Sequence, residues 1–415
     1  MRINLFKNDY LFSIINKAIS VITGFSTAVL MNRYLGPSLK GEYTYIMNVI
    51  NVVAIVGNLG VYQSYPKSYK DKMPDACGRY VTLIYAQCLV YTLIAVVAGI
   101  IEGSLLYAVV FLLVPSQVMA NQLSMVIMVE QIRYRQIVQI ATLILKTLLM
   151  LVIALVAPTY LVLVFLLLLF INVLQCIFYA GRLRVRCSVR LLTKDFVSYT
   201  VKFGVYAAIS EVLLILNYRA SVFMLKFYVD YYQIGLYSVG TGIAECIWMI
   251  PDAFKEVLFS RTSRGNPIRE INYTIKLNLY ISLALILFML VFGKEVVLIY
   301  SGAEYLEAVP VTQIILLGVP AMALFKITNP LYLANGKQKQ YCFILAVSVF
   351  TSIVMNLLLI PLMGICGAAL ASVMAYSVCG VTFYVQYIRE YKVKWFEPLV
   401  WRKGDLKEII TMFIR

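Results

Sequence analysis

Polar and apolar positions along the chain neither alternate as in a strand nor recur on one face as in a soluble helix. They fall in long apolar blocks separated by short polar segments. A helix needs about 20 mostly apolar residues to cross a hydrocarbon core about 30 Å thick. Twelve blocks meet that length, at roughly 10–33, 43–65, 80–101, 104–127, 137–157, 159–180, 199–226, 232–259, 274–293, 310–334, 341–363 and 367–387. Residues 161–170 are apolar without interruption. Such blocks are far too long for the ten-residue alternating strands of a barrel. The pattern predicts an all-α polytopic membrane protein with about 12 transmembrane helices. Arg2 and Lys7 precede the first block and no small-residue cleavage site follows it, so it reads as a retained first helix rather than a signal peptide.

Composition agrees with that pattern. Of 415 residues, 62% are hydrophobic and 13% charged, against about half and a quarter in a soluble domain, which excludes a soluble enzyme. The chain carries 36 Lys+Arg against 20 Asp+Glu, a net charge of +16, and no histidine. With both termini cytoplasmic, the inward segments are 1–9, 66–79, 128–136, 181–195, 260–273, 335–340 and 388–415. They hold 25 of the 36 basic residues, whereas the outward loops hold Lys40 and Lys294 alone. That asymmetry is the positive-inside signature, so most of the excess sets orientation and nucleic acid is not an expected partner. The loop bearing Arg182, Arg184, Arg186, Arg190 and Lys194 offers a contact for anionic membrane lipids. The eight cysteines form no CxxC pair, and without histidine neither a metal site nor a cofactor is expected.

The chain reads as two related halves. A shift of 194 residues aligns Tyr34, Gly41 and Tyr43 with Tyr228, Gly235 and Tyr237. A shift of 203–205 aligns Pro115 with Pro320, Arg133 and Arg135 with Lys337 and Lys339, and Pro158 with Pro361. Six spans per half make these parallel repeats. The expected domains are an N-lobe, 1–195, with helices 1–6; a C-lobe, 196–387, with helices 7–12; and a cytoplasmic basic tail, 388–415, with a central cavity between the lobes. Residues 405–415 suit an amphipathic helix lying on the membrane through Leu406, Ile409, Ile410 and Phe413.

Nine basic residues are not explained by topology: Lys17, Arg33, Lys146, Lys202, Arg219, Lys226, Lys255, Lys276 and Lys326. The acids in the spans are Glu211, Glu245, Asp252 and Glu256. A charge at mid-bilayer costs at least about 2.5–3.5 kcal/mol, so each needs cavity water, a partner or an interface. Arg33, Lys202, Lys226, Lys255, Lys276 and Glu256 lie within snorkelling reach of a span end. The deeper groups are candidate functional residues: Lys17, Lys146, Arg219 and Lys326 as cavity cations for an anionic substrate, and Glu211 and Glu245, with Lys17, for coupling or gating. Glu211, Arg219 and Lys226 fall within an arc of about 80° on their helix. Asn16, Asn48, Asn51, Asn58, Asn217 and neighbouring tyrosines supply polar groups for a sugar groove. The 194-residue shift also maps Lys17 onto Glu211, which suggests an inter-lobe latch. Pro251, after Gly240 and Gly242, marks a candidate hinge.

Several short motifs are familiar. Arg33-Tyr34-Leu35-Gly36-Pro37, Gly41-Glu42-Tyr43 and Asn58-Leu59-Gly60, with Asn217-Tyr218-Arg219, Gly235-Leu236-Tyr237-Ser238, Trp248 and Pro251, resemble bacterial polysaccharide-unit flippases. These are the Wzx-type polysaccharide transporters of the multidrug/oligosaccharidyl-lipid/polysaccharide exporter superfamily. Members often carry an acid two residues after this arginine; here the position is Ser221. The resemblance implies a transporter of the bacterial plasma (inner) membrane, not an enzyme. Its substrate would be an undecaprenyl-pyrophosphate-linked oligosaccharide, moved to the outer leaflet for O-antigen, capsule or exopolysaccharide synthesis. Membrane lipids and other polysaccharide assembly proteins are the implied partners. Two alternatives stand beside it. A membrane-embedded polymerase or ligase would need a sizeable external loop, and the longest outward one, 294–309, has 16 residues and no arginine. A cation-coupled drug antiporter of the same superfamily would need an acid in the first half's spans, whose interiors contain lysines but no acid.

Overall fold

The computed structural model describes residues 9–183, 185, 187–262, 268–401 and 405. Twelve α-helices run in chain order: α1 Asp9–Gly57, α2 Tyr65–Lys70, α3 Ala76–Glu102, α4 Leu105–Glu130, α5 Ile132–Val156, α6 Leu161–Leu183, α7 Lys194–Leu225, α8 Tyr231–Thr262, α9 Ile268–Tyr300, α10 Val309–Leu316, α11 Val319–Ala334 and α12 Gln338–Glu390. The architecture is all-α and polytopic, as the apolar blocks predict.

Helices and spans do not correspond one to one, and length explains why. At 1.5 Å per residue, the 49 residues of α1 and the 53 of α12 would each reach about 70–80 Å, more than twice the hydrocarbon thickness. Each is broken at a glycine outside the helical region: Gly36 (φ 66°, ψ 172°) and Gly364 (φ 56°, ψ −131°). Positive φ is inexpensive only for glycine. Pro37 then restarts the helix at a position where no amide hydrogen is required. The opposite case is α10 and α11, two short helices that jointly make one apolar span with a 50° bend between them. Pro310 and Pro320 start these two helices, and Leu317 and Gly318 separate them. Counted this way, the twelve apolar blocks match twelve helical arms. α9 bends at Phe292 (φ −108°, ψ 21°) and continues to Tyr300, so Lys294 is helical rather than in a loop. The helices are sheathed in exposed apolar side chains such as Leu155, Val156 and Leu362, as expected of lipid-facing surface.

Packing divides the chain into two compact units. The first comprises 1–35 and 46–212, the second 36–45 and 213–415. This division by contact gives 36–45 to the second unit and 196–212 to the first, whereas the sequence repeat divides the chain at 195. The first unit is centred on Tyr65, Tyr80, Val118, Leu123 and Phe196. The Tyr80 hydroxyl bonds with Ser64 Oγ (2.7 Å) and Ser68 Oγ (2.9 Å), and its ring meets Phe196 edge-on. Tyr65 donates to Glu130. The second unit packs α8, α11 and α12 around Phe325, Tyr332, Tyr341 and Phe383, with ring centroids 5.1–5.8 Å from Phe383 for Phe325, Tyr332 and Tyr341.

Beyond α12 the chain folds back onto the second unit. Tyr384 donates to the Trp395 carbonyl, the Trp401 ring meets Tyr280 at 5.4 Å, and Asp405 is buried. The expected membrane-surface helix falls mostly on residues outside the described ones, but its first residue, Asp405, is turned into the protein.

Candidate functional site

Charge inside the spans concentrates in the second unit. Arg219, on α7, pairs through Nη1 with Glu245 Oε1 on α8 at 2.7 Å. Lys326, on α11, pairs through Nζ with Asp252 Oδ2 on α8 at 2.5 Å. Glu245, Trp248 and Asp252 are spaced i, i+3 and i+7, which confines them to an arc of about 60° on one helix. A single face of α8 thus presents both carboxylates with an indole between them. The Lys326 ammonium lies 5.6 Å from the Trp248 ring centroid and 5.9 Å from that of Tyr218, cation–π distances. Tyr218 and Trp248 lie 5.7 Å apart, and Trp248 meets Tyr376 edge-on at 5.3 Å. The Trp248 Nε1 hydrogen is buried and unpartnered among the described residues.

A third cation joins this cluster. Lys40 follows the break at Gly36, lies 5.3 Å from the Tyr43 ring and feels the charges of Glu245 and Arg219. Its assignment to an outward loop is corrected: it is in the first turn of the helix that Pro37 starts. The signal was present, since proline at a first helical position announces a helix. The two ion pairs therefore have a further cation in reach of Glu245, with Ser221 taking no part in ion pairing. Instead the Ser221 hydroxyl bonds with Ser372 Oγ (2.8 Å), which Tyr237 also contacts (2.9 Å). The acid for Arg219 comes from α8, not from two residues along α7.

In the first unit Glu211 has neutral partners. Tyr62 donates to both carboxylate oxygens (2.6 and 2.8 Å), and Gln63 Nε2 donates to Oε1 (2.6 Å). Although Glu211 and Arg219 share α7, they serve separate clusters. Lys226 turns to the ring of Tyr231, 3.5 Å from its centroid. Lys146 is half-buried on α5, beside Thr147, whose hydroxyl bonds with Thr27 at 2.7 Å. The side chains of Lys17, Lys255 and Glu256 lie outside the described residues. Pro251 lies within α8.

Two expectations are corrected by burial. Lys276 does not snorkel; it is buried and bonds with Asp405 Oδ2 at 2.6 Å. Asn16, Asn48, Asn58 and Asn217 are buried between helices rather than set along an open groove. Ser348 donates to Asn217 (2.6 Å), and the half-buried Asn51 accepts from Gln117 (2.8 Å).

The model of the polysaccharide biosynthesis protein family matches residues 30–310. The chain belongs to that family. The match spans α7 and α8 with Arg219, Glu245 and Asp252, and ends before Lys326. A second model, of the lipid II flippase MurJ, matches residues 255–414. No curated protein is significantly similar in sequence. Among solved structures, the chain resembles the inward-facing form of a multidrug resistance MATE family transporter of the MOP superfamily, with TM-score 0.68 and 13% identity over 90% of this chain and 95% of that one. It resembles the inward closed form of lipid II flippase MurJ with TM-score 0.68 and 13% identity over 98% and 91%. A MOP superfamily transporter from Pyrococcus furiosus gives TM-score 0.63 and 13% identity over 91% and 96%. The fold is the one shared by these solved structures, in a multi-pass membrane protein.

Proposed function

We propose that this protein is a Wzx-type flippase: it carries an undecaprenyl-pyrophosphate-linked oligosaccharide across the bacterial plasma membrane by alternating access, for O-antigen, capsule or exopolysaccharide synthesis. The observation that carries this reading is the pairing of Arg219 and Lys326 with Glu245 and Asp252 on helices of the second unit, with Lys40 in electrostatic reach of Glu245. Buried charge is costly in a bilayer and is retained where a polar substrate must pass. Arginine binds phosphate through a planar fork and lysine as a mobile point charge, so the cations suit a pyrophosphate. Lys17 and Lys146 are the further candidate cations for the substrate, and Glu211 and Glu245, with Lys17, are the candidates for coupling or gating, with Pro251 as a hinge. The family match and the similarity to a lipid II flippase support a lipid-linked sugar as cargo. The positive-inside charge distribution supports two cytoplasmic termini.

The test is a deletion strain analysed for lipid-linked repeat units. The units accumulate on the cytoplasmic leaflet, the wild-type gene clears them, and Arg219→Ala does not. Normal surface polysaccharide without accumulation in the deletion strain overturns the flippase reading.

A further inference from the structure

The last described residues do not run away from the helices. Where α12 ends it lies beside the start of α9: Tyr387 donates to Asn272 Oδ1 at 2.6 Å, with the Ile268 carbonyl 3.4 Å away. The chain then reverses. Lys392 takes a left-handed conformation (φ 53°), the Val393 amide bonds back to the Ile388 carbonyl (3.1 Å), and Tyr384 donates to the Trp395 carbonyl. Farther on, the Trp401 amide donates to the Tyr280 hydroxyl oxygen at 3.3 Å, and Asp405 meets Lys276. From Asn272 to Tyr280 is about 12 Å along α9. Residues 391–401 are thus a returning loop that climbs back along the helices they have just left.

What α9 presents at that height identifies the surroundings. Tyr280, Leu283, Leu287 and Val291 fall within an arc of about 80° on α9 and are all exposed, which makes them a lipid-facing stripe. Below Tyr280 the same line is covered, since Lys276 is buried against Asp405. The loop is therefore seated at the foot of that stripe, at the edge of the bilayer. Turns fix its backbone: the Glu397 amide bonds with the Lys394 carbonyl, and those of Leu399 and Val400 with the Phe396 carbonyl. Its outer surface carries Trp395 (65% exposed), Val400 (49%) and Phe396 (38%). Beside them Arg389, Lys392 and Lys394 are exposed and pair with no acid among the described residues. Glu390 is taken by Lys337, and Glu397, the acid within the loop, is half-buried.

We infer that residues 389–401 are a membrane-docking element: Trp395, Phe396 and Val400 enter the leaflet that borders the start of α9, and Arg389, Lys392 and Lys394 hold its anionic phospholipid headgroups. On the orientation proposed above, this is the cytoplasmic leaflet. Indole rings settle at the membrane–water interface because one end is apolar and the other can hydrogen-bond. Lysine beside an anionic surface adds attraction that falls off within a Debye length, so it acts only on charges held this close to the headgroups. Stable docking takes two such signals, apolar insertion and basic charge, and the loop supplies both. The inference does not depend on the cargo. It places the membrane contact of the chain's end before residue 405, where Asp405 turns inward, rather than after it.

The chain has three tryptophans, so Trp248→Phe with Trp401→Phe leaves Trp395 as the sole indole. This full-length variant is reconstituted into bilayers of phosphatidylcholine and phosphatidylglycerol in which one lipid or the other is brominated, and Trp395 emission is followed. Brominated lipid is expected to quench it strongly and aqueous acrylamide weakly. At equal mole fraction, brominated phosphatidylglycerol is expected to associate beside Trp395 about fivefold more tightly than brominated phosphatidylcholine, the ratio that about 1 kcal/mol for a basic residue near an anionic surface gives. Adding Lys392→Gln with Lys394→Gln should bring that preference below about twofold, leave quenching by brominated phosphatidylcholine unchanged, and make the remaining preference insensitive to salt. Strong acrylamide quenching without any effect of brominated lipid would put the loop in water, open to a soluble partner, and overturn the docking. Equal quenching by the two brominated lipids, or a preference that survives the double lysine change, would overturn the headgroup contact. Neither result touches the flippase reading, which stands or falls on repeat-unit accumulation.

Discussion

Gly41 and Gly235 meet backbone to backbone in the second compact unit. A Cβ on Gly41 would lie 1.8 Å from the Tyr231 carbonyl oxygen, and one on Gly235 would lie 1.9 Å from that of Pro37. Tyr45 flanks the contact, 6.4 Å from Phe223 and 6.3 Å from Tyr231. These two glycines are the residues that the 194-residue repeat places in register, so equivalent positions of the two halves touch each other. The contact also keeps Lys40 beside Arg219 and Glu245, because it seats 36–45 on the start of α8.

Alanine at either glycine must therefore push the two backbones apart. Overpacking of this kind costs about 1–3 kcal/mol. Gly41→Ala and Gly235→Ala are expected to lower the thermal unfolding midpoint of the purified protein by several degrees and to reduce surface polysaccharide in a complemented deletion strain. Gly24→Ala is the control: it lies in α1 with nothing within 4 Å of the added carbon, and the change should be neutral or stabilising. Equal loss in all three would remove the contact as the cause.

The spans were legible because backbone groups in lipid leave only long apolar helices as a solution, and the length of each block is then dictated by the bilayer. That Arg219 and Lys326 need partners was legible from the cost of a charge in lipid. Their partners were not, since which acid a cation meets depends on how α7 and α11 rotate against α8, and no local pattern records that. Asp252 was visible as an acid within a span, yet only the packing of α11 gives it Lys326. Lys276 was misread because it sits near the start of an apolar block. The helix begins earlier, at Ile268, and the residue that neutralises Lys276 arrives from position 405.

Arg219 and Glu245 are expected to behave as a unit. Arg219→Glu places two acids together, and Glu245→Arg places two cations together beside Lys40. Each reversal should reduce repeat-unit export at least tenfold. The double reversal Arg219→Glu with Glu245→Arg restores the pair and should recover a substantial part of the loss, since residues in one ion-pair network typically couple by about 0.5–3 kcal/mol. Export quantified in the four strains of this cycle gives the coupling directly. Additive losses would show that the two groups act on the substrate independently.

Glu211 poses a different question, because Tyr62 and Gln63 hold its carboxylate with neutral groups. Tyr62→Phe removes the donor to both oxygens while keeping the ring, and should reduce export modestly, by about two- to fivefold, without altering expression. If Glu211 gates transport by pairing with Lys17, each single reversal, Lys17→Glu or Glu211→Lys, will impair export more than the two combined. Equal impairment in all three variants would dismiss the latch and leave Glu211 to its tyrosine and glutamine.

The Lys276–Asp405 pair ties the chain's end to α9, with both side chains at most 8% exposed. Removing one member of a buried pair strands the other charge and typically costs about 3–5 kcal/mol, whereas replacing both by apolar residues of similar volume is often neutral or stabilising. Asp405→Ala and Lys276→Ala should each lower the unfolding midpoint and expose the tail to proteolysis after Trp401. Lys276→Met with Asp405→Leu should recover most of that stability. If the double variant also regains full export, the pair is an anchor. If it is stable but defective in export, the charge of the anchored tail matters in its own right. Limited proteolysis and export measured on the same three variants decide between these outcomes.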